Sequence, residues 1–149
     1  MIQLVAKFGI DMRTSFWQEM IESYIQHLTR IILDAPATPA MGLTVYRGVK
    51  ESDFIDIDPK KNVFVNRPFM STTINLCTAL GTSFVNVNTH CCLFVLQVLP
   101  KCKCLFLGSL SYFQEMEFLF PPGSQLYLTR SLRKSVNAPY STLHFAIVN

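Results

Sequence analysis

The feature that most constrains the fold is a succession of short apolar segments that follows one amphipathic helix. Residues 14–33 carry apolar side chains every three or four positions, which is the spacing of one helix face. From residue 43 onwards the apolar segments are short and are separated by residues typical of turns, which predicts β-strands. One helix followed by many short strands predicts an α+β domain with two packed, mainly antiparallel sheets and a cleft between them.

The first helix is expected over Thr14–Leu33, and a second, shorter helix over Asn75–Phe84 with Asn75 as its cap. Strands are expected over residues 43–48, 68–73, 91–99, 104–107, 115–120, 125–129 and 142–148, and residues 50–66 are expected to be irregular. The apolar stripe of the first helix consists of Phe16, Met20, Tyr24, Leu28 and Ile31 or Ile32, widened by Trp17, Ile21 and Ile25.

The composition limits the classes of function. A chain of 149 residues is most simply one domain, residues 1–149, and it is long enough for a core. The net charge of +3 comes from scattered basic residues, so no nucleic-acid partner is expected. No apolar run approaches the roughly 18–20 residues of a membrane helix, so no membrane span is expected.

The five cysteines are odd in number and contain no Cys-x-x-Cys pair. Cys91-Cys92 with Cys102 and Cys104 could supply four zinc ligands, but adjacent strand residues point to opposite faces. Buried free thiols fit this pattern better and favour a reducing compartment, whereas a disulfide would require an oxidising one. No metal is expected.

The segment 109–123 is the strongest candidate for a site. Glu115 and Glu117 stand two residues apart, and a strand would point both carboxylates into one space. Like charges held this close repel each other, which a purely structural strand avoids. The alternative is an edge strand with two glutamates on its solvent-exposed face.

Two other strands carry polar groups that could meet this pair in the cleft. Arg47 shares a strand face with two aliphatic residues and precedes Gly48, and Ser71-Thr72-Thr73 ends the next strand. The structural alternative for Arg47 is an arginine at the solvent-exposed end of a strand. Asp53, Asp56 and Asp58 lack the glycine turn and closing acid of a calcium loop, so calcium is rejected.

In their order along the chain, three motifs resemble the arginine–serine–glutamate class of mono-ADP-ribosyltransferases, which includes bacterial toxins and vertebrate surface enzymes. The motifs are Tyr46-Arg47-Gly48, Phe69-Met70-Ser71-Thr72-Thr73 and Glu115-Met116-Glu117 with the following Phe-Leu-Phe-Pro-Pro-Gly. The resemblance covers residues 14–130. The triplet ends in threonine instead of the family's serine, and little of the chain precedes the first helix.

The resemblance implies that NAD is the co-substrate and that Glu117 is the catalytic acid, stabilising an oxocarbenium-like intermediate as nicotinamide leaves. It implies that Arg47 grips the NAD phosphates with its planar fork. Ser71 would orient Glu117 as a further catalytic residue. The NAD-binding residues implied are Arg47, Gly48, Ser71, Thr72, Phe84 and Glu117; a core phenylalanine at a helix end is the alternative for Phe84.

The resemblance also implies the acceptor. Glutamate two residues before the catalytic acid marks the arginine-specific branch, so Glu115 would hold the guanidinium and help to remove its proton. Tyr112 and Phe113 stand where the family places an aromatic side chain that contacts the protein target. The implied partner is a protein with an accessible arginine.

The implied activity is transfer of ADP-ribose from NAD to that arginine, with release of nicotinamide. Three alternatives stay open: an NAD glycohydrolase, a catalytically silent nucleotide- or protein-binding domain, and a structural β-rich interaction domain. On family grounds the chain is expected to act as a toxin-like bacterial or viral effector, in the cytosol or inside a host cell. The sequence specifies neither the target nor the oligomeric state.

Overall fold

The computed structural model describes residues 15–36, 38, 42–50, 57–58, 62–83, 91–111, 116–132 and 141–148. The helices are α1 (Ser15–Asp34) and α2 (Leu76–Ser83), with a 3₁₀ turn at Gly108–Leu110. The strands are β1 (Leu43–Lys50), β2 (Ile57–Asp58), β3 (Val63–Asn66), β4 (Met70–Thr73), β5 (Cys91–Val98), β6 (Leu105–Phe106), β7 (Glu117–Phe120), β8 (Ser124–Leu132) and β9 (Ser141–Val148).

The described strands form one hydrogen-bonded series in the order β2-β3-β8-β9-β5-β1-β4-β7-β6. Of the pairings among these strands, only β5 with β9 is parallel. The expected α+β class and the mainly antiparallel pairing are therefore confirmed. The two sheets expected from the sequence are joined into this single series, because β5 pairs with β1 on one side and with β9 on the other.

The core lies mainly along one face of this series. In β5, Phe94, Leu96 and Val98 alternate with residues that point to the other face, and all three are buried. In β9, Phe145 and Ile147 are buried beside them, as the alternation of this strand predicts. The Phe94 and Phe145 rings meet edge to face with centroids 4.8 Å apart. Strands β1, β4, β7 and β8 complete the cluster with Val45, Met70, Phe120 and Leu126.

Helix α1 begins and ends close to the expected positions, and its buried side is one edge of the expected apolar stripe. Ile21 and Ile25 are half-buried and Ile32 is fully buried, whereas Phe16, Met20 and Tyr24 are exposed, so the prediction was wrong for these last three residues. The sequence could not show which edge of the stripe is buried, because both edges are apolar and periodicity alone does not choose between them.

Neither described helix is both long enough and apolar enough to cross a membrane.

The segment expected to be irregular, residues 50–66, contains β2 and β3, so this prediction was wrong for Ile57–Asp58 and Val63–Asn66. Strand β3 exists because β8 supplies its hydrogen-bonding partner along all four residues. That partner lies about sixty positions further along the chain, so no local pattern indicates it. Strand β8 also extends beyond the expected 125–129, to Ser124–Leu132.

Thr38 attaches the segment after α1 to the turn after β5. Its Oγ1 donates to the carbonyl oxygen of Leu99 at 2.8 Å, and its N–H donates to the carbonyl oxygen of Cys102 at 3.0 Å. Nearby, Lys103 Nζ donates to the carbonyl oxygen of Ala35 at 2.7 Å, just after the helix ends. These bonds fix the C-terminal end of α1, which is also where its buried residue Ile32 lies.

The variant Thr38→Val keeps the shape of this side chain but leaves the Leu99 carbonyl oxygen with only the longer bond from the Cys102 N–H, at 3.3 Å. We expect a loss of about 1–2 kcal/mol in the free energy of unfolding, measured by urea denaturation. The matched control is Thr44→Val, which removes an exposed hydroxyl that donates to Gln97 Oε1 at 3.0 Å and should cost less than about 0.5 kcal/mol. Equal losses in the two variants would contradict the anchoring role of Thr38.

Cys77, Cys92, Cys102 and Cys104 are free thiols. Cys92, Cys102 and Cys104 are buried as expected, and Cys77 is exposed on α2. Burial raises the pKa of the Cys104 thiol to about 11, and neighbouring Cys102 adds to the shift. Cys102 Sγ contacts the Ile147 carbonyl oxygen at 3.1 Å. Within the described ranges, no group of three potential metal ligands comes together.

Candidate active site

The candidate site lies where β1 and β4 separate. Strand β1 pairs with β5 along all eight of its residues, but with β4 only at Tyr46 opposite Thr73. Beyond this position the two strands diverge and a pocket of about 220 Å³ opens between them. The pocket is lined by residues 46–48 of β1, residues 71–73 of β4, and Thr78 and Ala79 of α2.

Arg47 bridges the gap between the two strands. Its Nη1 donates to the carbonyl oxygen of Ser71 at 2.9 Å, and its side chain is half-buried. It is the only charged residue among those that line the described pocket. The guanidinium is therefore held at the wall of this pocket by its bond to β4.

The three hydroxyl residues of β4 have different environments. Ser71 is exposed, whereas Thr72 and Thr73 are buried. Thr72 Oγ1 donates to the carbonyl oxygen of Phe118 in β7 at 3.0 Å. Thr73 Oγ1 accepts the N–H of Asn75 at 3.0 Å, where the chain turns into α2. The triplet thus connects β4 both to the strand that carries Glu117 and to the helix that covers the pocket.

Asn75 caps α2 as predicted. Its Oδ1 accepts the N–H of Cys77 at 2.9 Å and the N–H of Thr78 at 3.4 Å, satisfying donors that the first turn leaves unpaired. The cap fixes the start of α2 next to the end of β4. Thr78 and the buried Ala79 lie in this first turn and form one wall of the pocket.

Glu117 is the first residue of β7 and is half-buried. It pairs with Thr73 across β4 and β7, and Thr73 pairs in turn with Tyr46 across β1 and β4. Residues directly opposite each other in neighbouring strands share a face, so Tyr46, Thr73 and Glu117 form one row. Glu117 does not line the pocket itself but stands beside it, one strand beyond Thr73.

The strand expected over Glu115–Phe120 is shorter in the structure, which bears on whether the two glutamates share a face. The strand starts at Glu117, and Met116 before it has a left-handed backbone with φ of 50°. The alternation of β7 therefore does not extend back from Glu117, so it gives no reason to place Glu115 and Glu117 on one face. Glu115 lies outside the described residues, as do Tyr112, Phe113 and Phe84, so their roles stay predictions.

The structure brings Arg47, Gly48, Ser71 and Thr72 together at one pocket and places Glu117 next to it. Ser71 is diagonal to Glu117 in the strand register, and the described residues contain no hydrogen bond between its hydroxyl and the carboxylate. Its assigned role in orienting Glu117 therefore stays a prediction. Sequence reasoning missed Tyr46, Thr73 and Thr78 as pocket residues, because their placement depends on strand register and helix packing.

The pocket is smaller than the roughly 300–1,000 Å³ of typical ligand sites. It can therefore hold only part of a molecule as large as a dinucleotide. The residues that line it include one arginine, one tyrosine and four residues with aliphatic hydroxyl groups. A carboxylate one strand away adds a group that can stabilise positive charge.

No protein-family model matches the sequence, and no curated protein matches it either.

The fold has relatives among solved structures. The Vis toxin, an ADP-ribosyltransferase from Vibrio splendidus, aligns with a TM-score of 0.68 at 22% identity, covering 93% of this chain and 63% of that one. C3stau2 from S. aureus, solved with NAD, aligns with a TM-score of 0.71 at 15% identity, covering 88% and 72%. The ATR domain of Salmonella SpvB aligns with a TM-score of 0.61 at 17% identity, covering 99% and 82%.

These likenesses define the fold. The chain has the α+β fold of ADP-ribosyltransferases, which confirms the fold expected from the three motifs. The alignment with the Vis toxin covers nearly the whole of this chain. This chain spans less than two-thirds of the length of the Vis toxin. At identities of 15–22%, the activity has to be argued from the residues of the site.

Proposed function

We propose that this chain transfers ADP-ribose from NAD to the side chain of an arginine in a protein target, releasing nicotinamide. The observation that supports this proposal most strongly is the register of β1, β4 and β7. It brings Arg47, the hydroxyl triplet and Glu117 into one neighbourhood, although they lie far apart in the sequence.

In this proposal, the pocket between β1 and β4 receives the part of NAD that carries the phosphates. Arg47 offers a planar fork of N–H donors, which suits phosphate oxygens better than a point charge does. The bond from Arg47 to the Ser71 carbonyl oxygen fixes one edge of the guanidinium in advance. Gly48 and Thr72 line the same pocket, in agreement with the NAD-binding roles that the motifs suggest.

The chemistry assigned to Glu117 follows from the bond that breaks. The bond between the nicotinamide nitrogen and the ribose carbon separates with its electron pair on nicotinamide, so positive charge develops on the ribose. A carboxylate near this carbon stabilises that charge. A guanidinium nitrogen of the acceptor then attacks the carbon and loses one proton, completing the new C–N bond.

The arginine acceptor rests on Glu115 and on one comparison. A carboxylate two residues before the catalytic acid can bind a guanidinium and take up its proton. The Vis toxin has been solved in complex with agmatine, a small molecule with a guanidino group. The two observations together favour arginine over other acceptors for this chain.

The activity is tested with labelled NAD and agmatine, beside the same reaction without protein. Label transferred to agmatine, with nicotinamide released in equal amount, would support both the transfer and the arginine class. Nicotinamide released without any label on agmatine or on a mixture of arginine-containing proteins would support hydrolysis instead. Absence of NAD turnover and of NAD binding would contradict the proposal.

NAD glycohydrolysis is the second candidate, because the groups that the structure brings together are those that NAD cleavage needs. Water as acceptor requires Arg47, Ser71 and Glu117, but it does not require Glu115. A chain that uses only Arg47, Ser71 and Glu117 would therefore release nicotinamide and free ADP-ribose.

The variant Glu115→Gln separates the two candidates. If the chain is a transferase, this change should lower agmatine labelling by at least about a hundredfold and change NAD hydrolysis by less than about threefold, because only the acceptor loses its base. Both products are measured in one reaction by chromatography. Equal loss of labelling and hydrolysis would contradict the role of Glu115 in acceptor recognition.

A further inference from the structure

Helix α2, which supplies one wall of the pocket, has little stability of its own. It has eight residues, and a helix of this length is marginal in water without tertiary packing. Its first turn contains no acidic residue and its last turn no basic one, so no side-chain charge offsets the helix dipole. Gly81 lies inside the helix, where glycine is less favourable than alanine. The helix therefore depends on what holds it to the sheet.

The packing of α2 against the protein is limited in its first turn. Ala79 is buried and lines the pocket, and Thr78 and Leu80 are half-buried. Leu76 and Cys77, at the start of the helix, are exposed. Segments with few buried contacts are those that open locally in folded proteins. The packing of the first turn therefore rests mainly on Ala79.

Asn75 connects this turn to the sheet. Its Oδ1 accepts the N–H groups of Cys77 and Thr78, and its own backbone N–H donates to Thr73 Oγ1. Its carbonyl oxygen accepts the Ala79 N–H at 3.1 Å, which closes the first helical turn. Asn75 is itself exposed and does not line the pocket. It thus joins the end of β4 to both residues of α2 that do line it.

We propose that the order of α2 controls the affinity for NAD, and that Asn75 is a positioning residue that acts through this helix without touching the ligand. This inference rests on the proposed function and names what regulates the same site. When the first turn of α2 is formed, Thr78 and Ala79 complete the pocket beside the residues of β1 and β4. When the turn unravels, this wall is lost, so only the ordered fraction of the molecules binds NAD with full affinity.

The variant Asn75→Ala removes the capping oxygen and keeps the backbone bonds of this residue. Loss of a cap shifts the equilibrium of the first turn by about fivefold, so the KM for NAD should rise by about threefold to fivefold. The value of kcat at saturating NAD should stay within about twofold, because bound NAD selects the ordered helix. Asn75→Ser keeps a capping oxygen and should have the parental KM.

The variant Gly81→Ala tests the same equilibrium by strengthening the helix. A Cβ added at Gly81 meets no atom within 4 Å, and this residue is exposed and does not line the pocket. Alanine favours the helix over glycine by about fivefold. Introduced together with Asn75→Ala, it should therefore return the KM for NAD to within about twofold of the parental value. A contact between NAD and the Asn75 side chain could not be restored in this way.

The order of α2 is measured directly by hydrogen–deuterium exchange at the amides of residues 76–83. Exchange should be faster in Asn75→Ala than in the parent, and adding Gly81→Ala should slow it again. The matched control is Thr38→Val, which weakens the fold away from the pocket and should leave the KM for NAD unchanged.

The parent is assayed first: if it neither releases nicotinamide nor binds NAD in calorimetry, the proposed function itself fails. If the parent is active, a parental KM in Asn75→Ala overturns the control of affinity by α2 while the function stands. A raised KM that Gly81→Ala does not lower overturns it as well. An equal rise of the KM in Thr38→Val would also overturn it, because the effect would then follow the stability of the whole protein.

Discussion

Replacement of Glu117 by glutamine should lower the rate of nicotinamide release from NAD by about a hundredfold to a thousandfold. The amide has nearly the same size as the carboxylate but carries no negative charge, so it cannot stabilise the positive charge that develops on the ribose. Glu117 stands at the start of β7, half-buried and opposite Thr73, so the amide should fit the same place. Nicotinamide release is measured by chromatography, and NAD binding is measured by calorimetry.

Binding of NAD should change little in this variant, because the pocket between β1 and β4 does not include Glu117. The control is Glu19→Gln on the exposed part of α1, which should be as active as the parent. A rate within tenfold of the parent for Glu117→Gln would exclude Glu117 as the catalytic acid. Comparable loss in the Glu19→Gln control would instead indicate a general effect on the protein.

Local signals predicted much of the fold. Asn75 was recognisable as a helix cap because an amide side chain before an apolar run satisfies the first N–H groups of a helix, and its bonds to Cys77 and Thr78 confirm it. The strand β9 was recognisable from alternation, and its buried Phe145 and Ile147 lie on one face as expected. In both cases the information is contained within a few consecutive residues.

Features that depend on distant partners were not predictable in this way. Strand β3 forms because β8 lies beside it. The row that joins Tyr46 to Glu117 depends on two separate strand registers. A single sequence does not specify register, because shifting a strand by two residues keeps the same side chains on the same face.

The physical argument for the glutamate motif was incomplete. A continuous strand through Glu115 and Glu117 was expected, but Met116 has φ of 50°, outside the strand region. For a residue other than glycine, this conformation costs about 1–3 kcal/mol and is found preferentially at functional sites. The backbone therefore turns directly before Glu117, so that β7 begins with the carboxylate that faces Thr73.

The second large effect is expected at Arg47. The variant Arg47→Lys should raise the KM for NAD by about tenfold, and Arg47→Ala by up to about a hundredfold. A hydrogen bond to a charged group contributes about 1.5–3 kcal/mol, and 1.4 kcal/mol corresponds to a factor of ten in affinity. Lysine keeps the charge but not the planar fork, so it should recover only part of the affinity. The KM is obtained from nicotinamide release at varied NAD concentration.

Arg47 also donates to the Ser71 carbonyl oxygen, so the experiment has to separate binding from stability. The control is Arg130→Lys on β8, where an exposed arginine lies away from the pocket and should be replaceable without any change in KM. Thermal midpoints of all variants are measured without NAD. Arg47→Lys with the parental KM would contradict phosphate binding. A raised KM with an unchanged thermal midpoint would mean that Arg47 acts on the ligand. If the bond from Arg47 to Ser71 served only to hold β1 and β4 together, its loss would lower the midpoint.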